Sequence, residues 1–397
     1  MAVSALIHRF WSSSWNPLRN NLSGLPPHVV VVSKAFAIFL IIKSLFFWST
    51  LRFREPYLPF LAIFDEIGHP VIIQKILQVG LYGSALGILF NRHVKTFSLV
   101  AGSSILLSIL SAKGSYSNNF LFTSFILLLV GLQMPGQNKS SWIRYQFAVL
   151  YIGAALNKLM EPDWQTGLFM DYWMNKLPIP IFQKLAALFP PMVFAKAMCW
   201  LTIAAETTLA ALALSNRLTS LFIFLGIAFH FALSFFTGRT YGWFFPMLVV
   251  SYVAIMPWPT NPIKVLYDGD SPFHEKMKSL MKKFDVDNYF RWTAFQSAEN
   301  RHGLTTEQLK DKLHVVVDGK ILAGFKAFRT MILYNPLSYL FFIVLIASMS
   351  PGAALSTPTR ILLGSLLLFI SPIFIPVGEA AFSFLAKRRY KLASTSV

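Results

Sequence analysis

Charged residues are scarce in this sequence. Only 13% of its 397 residues are Asp, Glu, Lys or Arg, whereas 55% are hydrophobic. A soluble protein usually carries about 25% charged residues, because charge has to cover its surface. The deficit excludes an ordinary water-soluble protein and indicates a chain that is largely embedded in a membrane.

Cysteine is almost absent, and acidic residues are few. The single cysteine, Cys199, stands in an apolar segment, so the sequence has no cysteine pair for a disulfide or for dithiol exchange. The net charge is +18, of which residues 262–330 carry only +3. The remaining excess belongs to the apolar part, where it indicates membrane topology and contact with anionic lipid headgroups. We expect membrane lipids as partners and no nucleic acid.

Long apolar runs divide the chain, and each needs about 20 residues to cross a membrane. Before a charged insert we read runs at about 29–49, 70–90, 95–112, 119–134, 142–160, 191–213, 218–236 and 241–257. Two more follow at about 336–350 and 361–382. The predicted fold is an all-α polytopic membrane protein, with about eight spans, a small α/β insert and two further spans.

The predicted order of parts follows from these runs. It is a cytoplasmic N-terminal segment (1–27), a transmembrane bundle (28–260), the insert (262–330), C-terminal transmembrane helices (331–386) and a basic tail (387–397). Basic residues between the runs are more numerous on the N-terminal side, which predicts cytoplasmic N- and C-termini. The Trp-rich segment 161–190 on the other side is predicted to be interfacial helix and loop.

Ionisable groups inside the runs are the first candidates for chemistry, because they are costly in a bilayer and usually face the bundle interior. Lys158 either snorkels to the headgroups or acts as a base after desolvation of its amine. Glu206 is a structural anchor, a partner of Lys158 or His230, or a direct participant. His230 is a buried histidine bonded to a neighbour, or a proton relay or substrate donor.

Two asparagines open the fourth run. Asn118 and Asn119 either cap the helix or hydrogen-bond a ligand carbonyl or oxyanion. Both interpretations place the two amides at the membrane-surface end of the fourth run.

The insert alternates predicted strands and helices. Ile263–Tyr267 and Leu313–Val317 are predicted strands, and His274–Phe284 is a predicted basic amphipathic helix, which together favour a small α/β unit. Asp270 or Ser271 is a good helix N-cap. A nucleophile–base pair of Ser271 and His274 is disfavoured, because adjacent turns of one helix rarely aim the two side chains correctly. The sequence has no metal-ligand cluster, phosphate loop or nucleotide fingerprint.

The stretch YIGAALNKLMEPDWQTG resembles the signature of the HTTM (horizontally transferred transmembrane) family, which includes the vitamin K-dependent γ-carboxylases. Its lysine, Asp-Trp pair and glycine correspond here to Lys158, Asp163, Trp164 and Gly167. The resemblance extends over about 28–257. One departure is Phe120, where the carboxylases have a histidine after paired asparagines.

This resemblance implies a function. Lys158 would be the base that deprotonates vitamin K hydroquinone or another quinol, with Glu206 and His230 supporting proton transfer and no metal taking part. The implied substrate-binding residues are Asn118, Asn119, Asp163 and Trp164. A peptide is the second implied substrate.

The insert resembles the DCC family, which is named for an Asp-x-x-Cys-x-x-Cys motif on a thioredoxin-like fold. VLYDGDSPFH corresponds to the family's YDGDCPFC, with Ser271 and His274 in place of both cysteines. Thiol–disulfide exchange requires a thiolate, so this degenerate motif predicts a structural or docking module for a cytosolic protein partner.

Two functions follow from the sequence. The first is a carboxylase-like membrane enzyme that uses Lys158 on a lipophilic quinol or peptide. The alternative is a non-enzymatic membrane protein that binds a lipid or quinone, or docks a partner through a redox-inactive insert.

Overall fold

The computed structural model describes residues 13–17, 19, 22, 25–47, 58–133, 141–176, 180–236, 244–256, 258–259, 261–335 and 375–393. The chain forms two compact units. A helical unit contains Gly24–Met256 and Ile346–Ser356, and a sheet unit contains Met1–Ser23, Pro257–Leu345 and Thr357–Val397.

The described part of the helical unit consists of α-helices and short 3-10 turns. The α-helices are Pro27–Phe47 (α1), Ile63–Ile67 (α2), Pro70–Leu89 (α3), Val94–Ser111 (α4), Asn118–Leu132 (α5), Ser141–Met160 (α6), Pro162–Thr166 (α7), Leu168–Lys176 (α8), Pro180–Ala186 (α9), Val193–Leu214 (α10), Thr219–Phe236 (α11) and Phe244–Tyr252 (α12). Each of the eight apolar runs before the insert overlaps one of these helices, and the short helices α7, α8 and α9 lie within the segment 161–190.

Three helices of the described chain, α3, α4 and α10, are long and apolar enough to cross a membrane. Shorter apolar helical stretches cover Pro27–Ile42, Asn118–Leu132 and Thr219–His230. The structure therefore shows a helical bundle with membrane-spanning capacity, which is a coarser result than eight spans.

Small and hydroxylated residues let α3, α4 and α5 pack closely, as is common between membrane helices. A Cβ atom on Gly102 of α4 would lie 2.9 Å from the Ser124 carbonyl oxygen of α5. Ser124 Oγ in turn donates a hydrogen bond to the Gly102 carbonyl at 2.8 Å. Buried polar contacts also join α3 to α4, where Gln74 bonds to the Ser108 and Ser111 hydroxyls at 2.9 and 2.7 Å.

The insert forms a four-stranded mixed sheet with helices. Its elements are β1 (Ile263–Tyr267), α13 (Pro272–Phe284), β2 (Phe290–Ala294), α14 (Thr306–Asp311), β3 (His314–Val317), β4 (Lys320–Ala323) and α15 (Gly324–Leu333). The strand order is β2-β1-β3-β4, in which β1 and β2 are parallel and the other pairs are antiparallel. Helix α13 supplies the crossover that a parallel pair requires.

The last described helix, α16 (Ile375–Ala393), packs against α15 within the sheet unit. The Glu379 carboxylate accepts hydrogen bonds from the Phe325 and Lys326 backbone N–H groups at 3.2 and 3.3 Å. This helix begins inside the predicted span 361–382 and continues without a break past residue 387 into the predicted tail. The predicted span 336–350 and residues 361–374 lie outside the described residues.

Candidate functional site

A charged pair joins α6 to α10. Lys158 lies in the last turn of α6, and its Nζ atom is 2.9 Å from both carboxylate oxygens of Glu206 in α10. The two side chains are only 16% and 8% exposed. Glu206 is thus the partner of Lys158 rather than of His230, and the pairing offsets part of the cost of burying both charges.

The aromatic ring of Trp164 lies beside the lysine. Nζ of Lys158 is 5.0 Å from the centroid of this ring, which is within the range of a cation–π interaction. Trp164 is buried in α7 and stacks on Phe169 with a centroid distance of 4.1 Å. The ammonium is therefore held between a carboxylate and an aromatic face, which is a different arrangement from snorkelling to headgroups.

Gly167 fixes the position of Trp164 relative to α10. It ends α7 with φ of +94°, a conformation that L side chains rarely adopt. A Cβ atom here would lie 2.6 Å from the backbone nitrogen of Lys196 in α10. Only glycine permits this approach, so the Trp164 segment and the helix that carries Glu206 are locked together.

The Lys158 ammonium engages both oxygens of Glu206. Oε1 accepts a hydrogen bond from Nζ at 2.9 Å, and Oε2 lies 2.9 Å from the same nitrogen. Oε2 is itself buried. Both oxygens of the carboxylate are therefore held in one shielded ion pair with the lysine.

A second polar cluster lies in the same bundle. The Tyr151 hydroxyl of α6 and His230 Nε2 of α11 are 2.9 Å apart, and the same hydroxyl hydrogen-bonds the Tyr252 hydroxyl of α12. All three side chains are buried. His230 is thus bonded to a hydroxyl, and either ring tautomer is compatible with the contact.

Helix α6 connects the two clusters. Tyr151 and Lys158 are seven residues apart, so they lie on one helix face about 10 Å apart along the axis. The ion pair and the hydroxyl–imidazole cluster therefore belong to one polar seam in an apolar bundle.

The sequence interpretation did not include the two tyrosines. Tyr252 is held by a stacked contact with Phe147 at 5.0 Å between centroids, and its hydroxyl end abuts Gly226. Tyr151 stands two helical turns before Lys158, and a hydroxyl in mid-run on the face of a candidate base is the signal that could have identified it. Lys34, which was also not considered, is fully buried in α1.

The two asparagines make local contacts at the start of α5. Asn118 Oδ1 accepts a hydrogen bond from the Tyr116 hydroxyl at 2.5 Å. Asn119 is buried, and its Oδ1 accepts from the Phe120 backbone N–H at 3.0 Å and from the Ser117 hydroxyl. These bonds occupy the amide oxygens in ordering the helix start.

Asp163 is exposed in the first turn of α7, where its negative charge suits the helix N-terminus. Its neighbour Trp164, by contrast, is buried beside Lys158. Of the Asp-Trp pair, only the tryptophan contacts the charged pair.

Ser271 and His274 form the N-terminal turn of α13. Ser271 is the N-cap, and its hydroxyl accepts a hydrogen bond from the His274 backbone N–H at 3.5 Å. The Asp268 backbone N–H donates to His274 Nδ1 at 3.3 Å. Both side chains are engaged with the backbone of this turn. In the described part of the chain, no group of three His, Cys, Asp or Glu residues could hold a metal ion.

Comparison with known families identifies one part of the chain. Residues 265–357 match the DCC1-like thiol-disulfide oxidoreductase family. This DCC1-like segment begins in β1 and includes Ser271 and His274. No HTTM or carboxylase family model matches the chain. The searches of curated proteins and of solved structures gave no match.

Proposed function

We propose that the chain is an HTTM-type integral membrane enzyme that acts on a lipophilic quinol, with Lys158 as the base. The observation that carries this proposal is the buried Lys158–Glu206 pair beside the Trp164 ring. A hydroxylated aromatic ring offers a hydroxyl donor for the carboxylate and a π-face for the tryptophan. Vitamin K hydroquinone is the cofactor that the sequence resemblance implies.

The ion pair provides a way to obtain a neutral amine without a net change of charge. Moving one proton from Lys158 Nζ to Glu206 converts an ammonium–carboxylate pair into an amine–carboxylic acid pair. A low local dielectric favours the neutral form of both groups. The Lys158 amine can then accept a proton at Nζ. When bound, a quinol supplies the acidic hydroxyl and the reducing equivalents.

The hydroxyl–imidazole cluster has a supporting role in this proposal. Tyr151, His230 and Tyr252 form a hydrogen-bonded series of groups that can each donate or accept a hydrogen bond. Such a series can carry a proton along the seam, or hold the bundle in one arrangement around the pair.

The test compares Lys158→Met with Lys196→Met, because Lys196 is an exposed lysine on α10. Quinones are extracted from each protein purified in detergent and identified by mass spectrometry. In a second assay, each protein is supplied with vitamin K1 hydroquinone while oxygen uptake is recorded. We expect wild type and Lys196→Met to bind the quinone and consume oxygen, and Lys158→Met to lose at least about 100-fold of the rate. Absence of binding to wild type, or equal rates in both variants, would contradict the proposal.

For the DCC1-like segment we propose a thioredoxin-like fold that does not exchange disulfides. Its mixed sheet and the helix that starts directly after β1 support the fold, and the replacement of both motif cysteines supports the inactivity. The test is Ser271→Cys/His274→Cys in a Cys199→Ala background. We expect the variant to form an internal disulfide on oxidation, as measured by thiol titration and mass spectrometry. Two free thiols after oxidation would contradict the fold.

The alternative proposal is a non-enzymatic membrane protein. Its support is the turn at Ser271 and His274, where both side chains serve local structure. Quinone bound to wild type without any oxygen uptake would favour it. The topology of about eight spans before the insert and two after it, with cytoplasmic termini, stays a proposal for both functions.

A further inference from the structure

Helix α13 of the sheet unit has an apolar surface that the sheet does not cover. Met281 packs into the core formed by residues of β1, β2, β3 and α15. Met277, Leu280 and Phe284 are 39%, 50% and 37% exposed. These three residues follow at intervals of three and four, so they form one stripe along the helix.

The charges of α13 are arranged around this stripe. The helix contains four lysines and one glutamate. Lys276 and Lys283 lie beside Leu280, since they precede and follow it by four and three residues, and both are exposed. The glutamate, Glu275, is paired with Lys278 at 2.9 Å, away from the stripe. The exposed apolar residues are therefore flanked by unopposed positive charge along one edge.

A short link joins the sheet unit to the helical unit. Six residues separate Met256, at the end of the helical unit, from Ile263 at the start of β1. An extended link of that length reaches at most about 20 Å. The helical unit contains the three helices that can cross a membrane. The covalent link therefore tethers the sheet unit to a unit that has membrane-spanning capacity.

We propose that α13 is a membrane-surface helix that binds anionic phospholipids, with Met277, Leu280 and Phe284 in the headgroup–acyl boundary and Lys276 and Lys283 on the headgroups. A basic amphipathic helix with an apolar stripe binds a membrane in this way. Each lysine near an anionic surface adds to the attraction. The proposal does not depend on the chemistry at Lys158.

The experiment places a spin label on the stripe of the full chain. A Cys199→Ala background removes the buried native thiol, and Leu280→Cys carries the label. Ser279→Cys is the matched control, because Ser279 is exposed on the same helix but is turned by about 100°. The nanodiscs contain either phosphatidylcholine alone or phosphatidylcholine with roughly a third phosphatidylglycerol. In each kind of disc, the accessibility of the spin label to oxygen and to a nickel chelate is measured.

In the anionic discs we expect the ratio of oxygen to nickel accessibility at residue 280 to exceed that at residue 279 by about threefold or more. Adding Lys283→Gln should reduce this ratio, whereas Lys282→Gln should leave it unchanged, because Lys282 is exposed on the opposite side of the helix. Equal aqueous accessibility of both labels in both discs would overturn the proposal. Shielding of residue 280 from both reagents would also overturn it, since a protein surface would then cover the stripe.

Discussion

Buried charge at Lys158 and Glu206 sets the strongest constraint at the scale of single residues. Each charge would be costly alone in an apolar bundle, and their contact at 2.9 Å offsets that cost. Removal of one partner leaves the other buried and uncompensated. The pair therefore matters to stability as well as to the proposed chemistry, and the two effects can be separated.

A double-mutant cycle separates them. Lys158→Met and Glu206→Met should each lower the free energy of unfolding by about 3 kcal/mol, whereas the double variant should lose less than the sum by about 1–3 kcal/mol. The measurement is denaturant or thermal unfolding in detergent. Strict additivity of the two losses would show that the ion pair does not couple the two helices.

Asp285 offers a residue-scale prediction in the sheet unit. Its carboxylate accepts hydrogen bonds from the Tyr289 and Phe290 backbone N–H groups at 2.7 and 2.8 Å. Burial raises the pKa of Asp285 to about 6, against the opposing effect of these two bonds. Between about pH 4 and pH 6 the folded state then binds more protons than the unfolded state. Stability of this region should fall as pH rises through that window, by about 1–2 kcal/mol.

Hydrogen exchange at the Phe290 amide measures this effect. Protection, corrected for intrinsic exchange, should decrease from pH 4 to pH 6 in wild type and stay level in Asp285→Asn. A protection factor in wild type that rises over this range would reverse the sign and contradict the raised pKa.

The polar residues could be selected from the sequence, and Lys158 was one of two candidate partners of Glu206, but the tyrosine partners of the cluster could not be predicted. A lysine, a glutamate and a histidine in apolar runs stand out because such residues are costly there. The contact of Tyr151 with Tyr252 joins residues 101 positions apart. The sequence pattern around each tyrosine does not predict such a contact, because the contact depends on how the helices pack.

At the scale of elements, the close approach of α7 to α10 depends on one glycine. Gly167→Ala places a Cβ atom at φ of +94° and against the Lys196 backbone. We expect a loss of about 2 kcal/mol or more, because both strain and overlap oppose the change. Thermal unfolding in detergent measures it, and the fluorescence of Trp164 should shift as its packing loosens.

The matched control is Gly153→Ala in α6. A Cβ atom at Gly153 meets no atom within 4 Å. Alanine is a better helix former than glycine, so this variant should be unchanged or more stable by up to about 1 kcal/mol. Equal destabilisation by both changes would show that the position of Gly167 has no special importance.

Element prediction succeeded where a pattern is local. Apolar length located the helices, and Ser271, one of the two predicted N-cap candidates, is the N-cap of α13. Strands β2 and β4 were not predicted as strands. Residues of β2 are mostly half-buried and include Arg291, and β4 has two exposed residues, so neither shows the buried-strand pattern. Their pairing with β1 and β3 arises from tertiary contacts instead.

At the scale of the whole molecule, the sheet unit is discontinuous in sequence. It includes α16, which follows α15 only after the residues 334–374. Glu379 then supplies acceptors for the first turn of α15. The sheet unit thus uses residue 379, which lies outside the predicted insert 262–330, and composition alone could not show this return.

Glu379→Ala tests the contribution of that return. Loss of a charged acceptor at a helix N-terminus should cost about 1–2 kcal/mol and speed hydrogen exchange at the Phe325 and Lys326 amides. Glu379→Gln keeps one acceptor oxygen and should lose less. Unchanged exchange at both amides in Glu379→Ala would show that the carboxylate does not order this turn.

The position of Glu379 also has a consequence for synthesis of the chain on the ribosome. The N-terminal turn of α15 emerges 54 residues before the carboxylate that completes it. At about 5–20 residues per second, this turn waits about 3–11 s with its N–H groups bonded only to water. Translation speed over residues 326–379 therefore sets how long the nascent sheet unit stays open to chaperones and proteases.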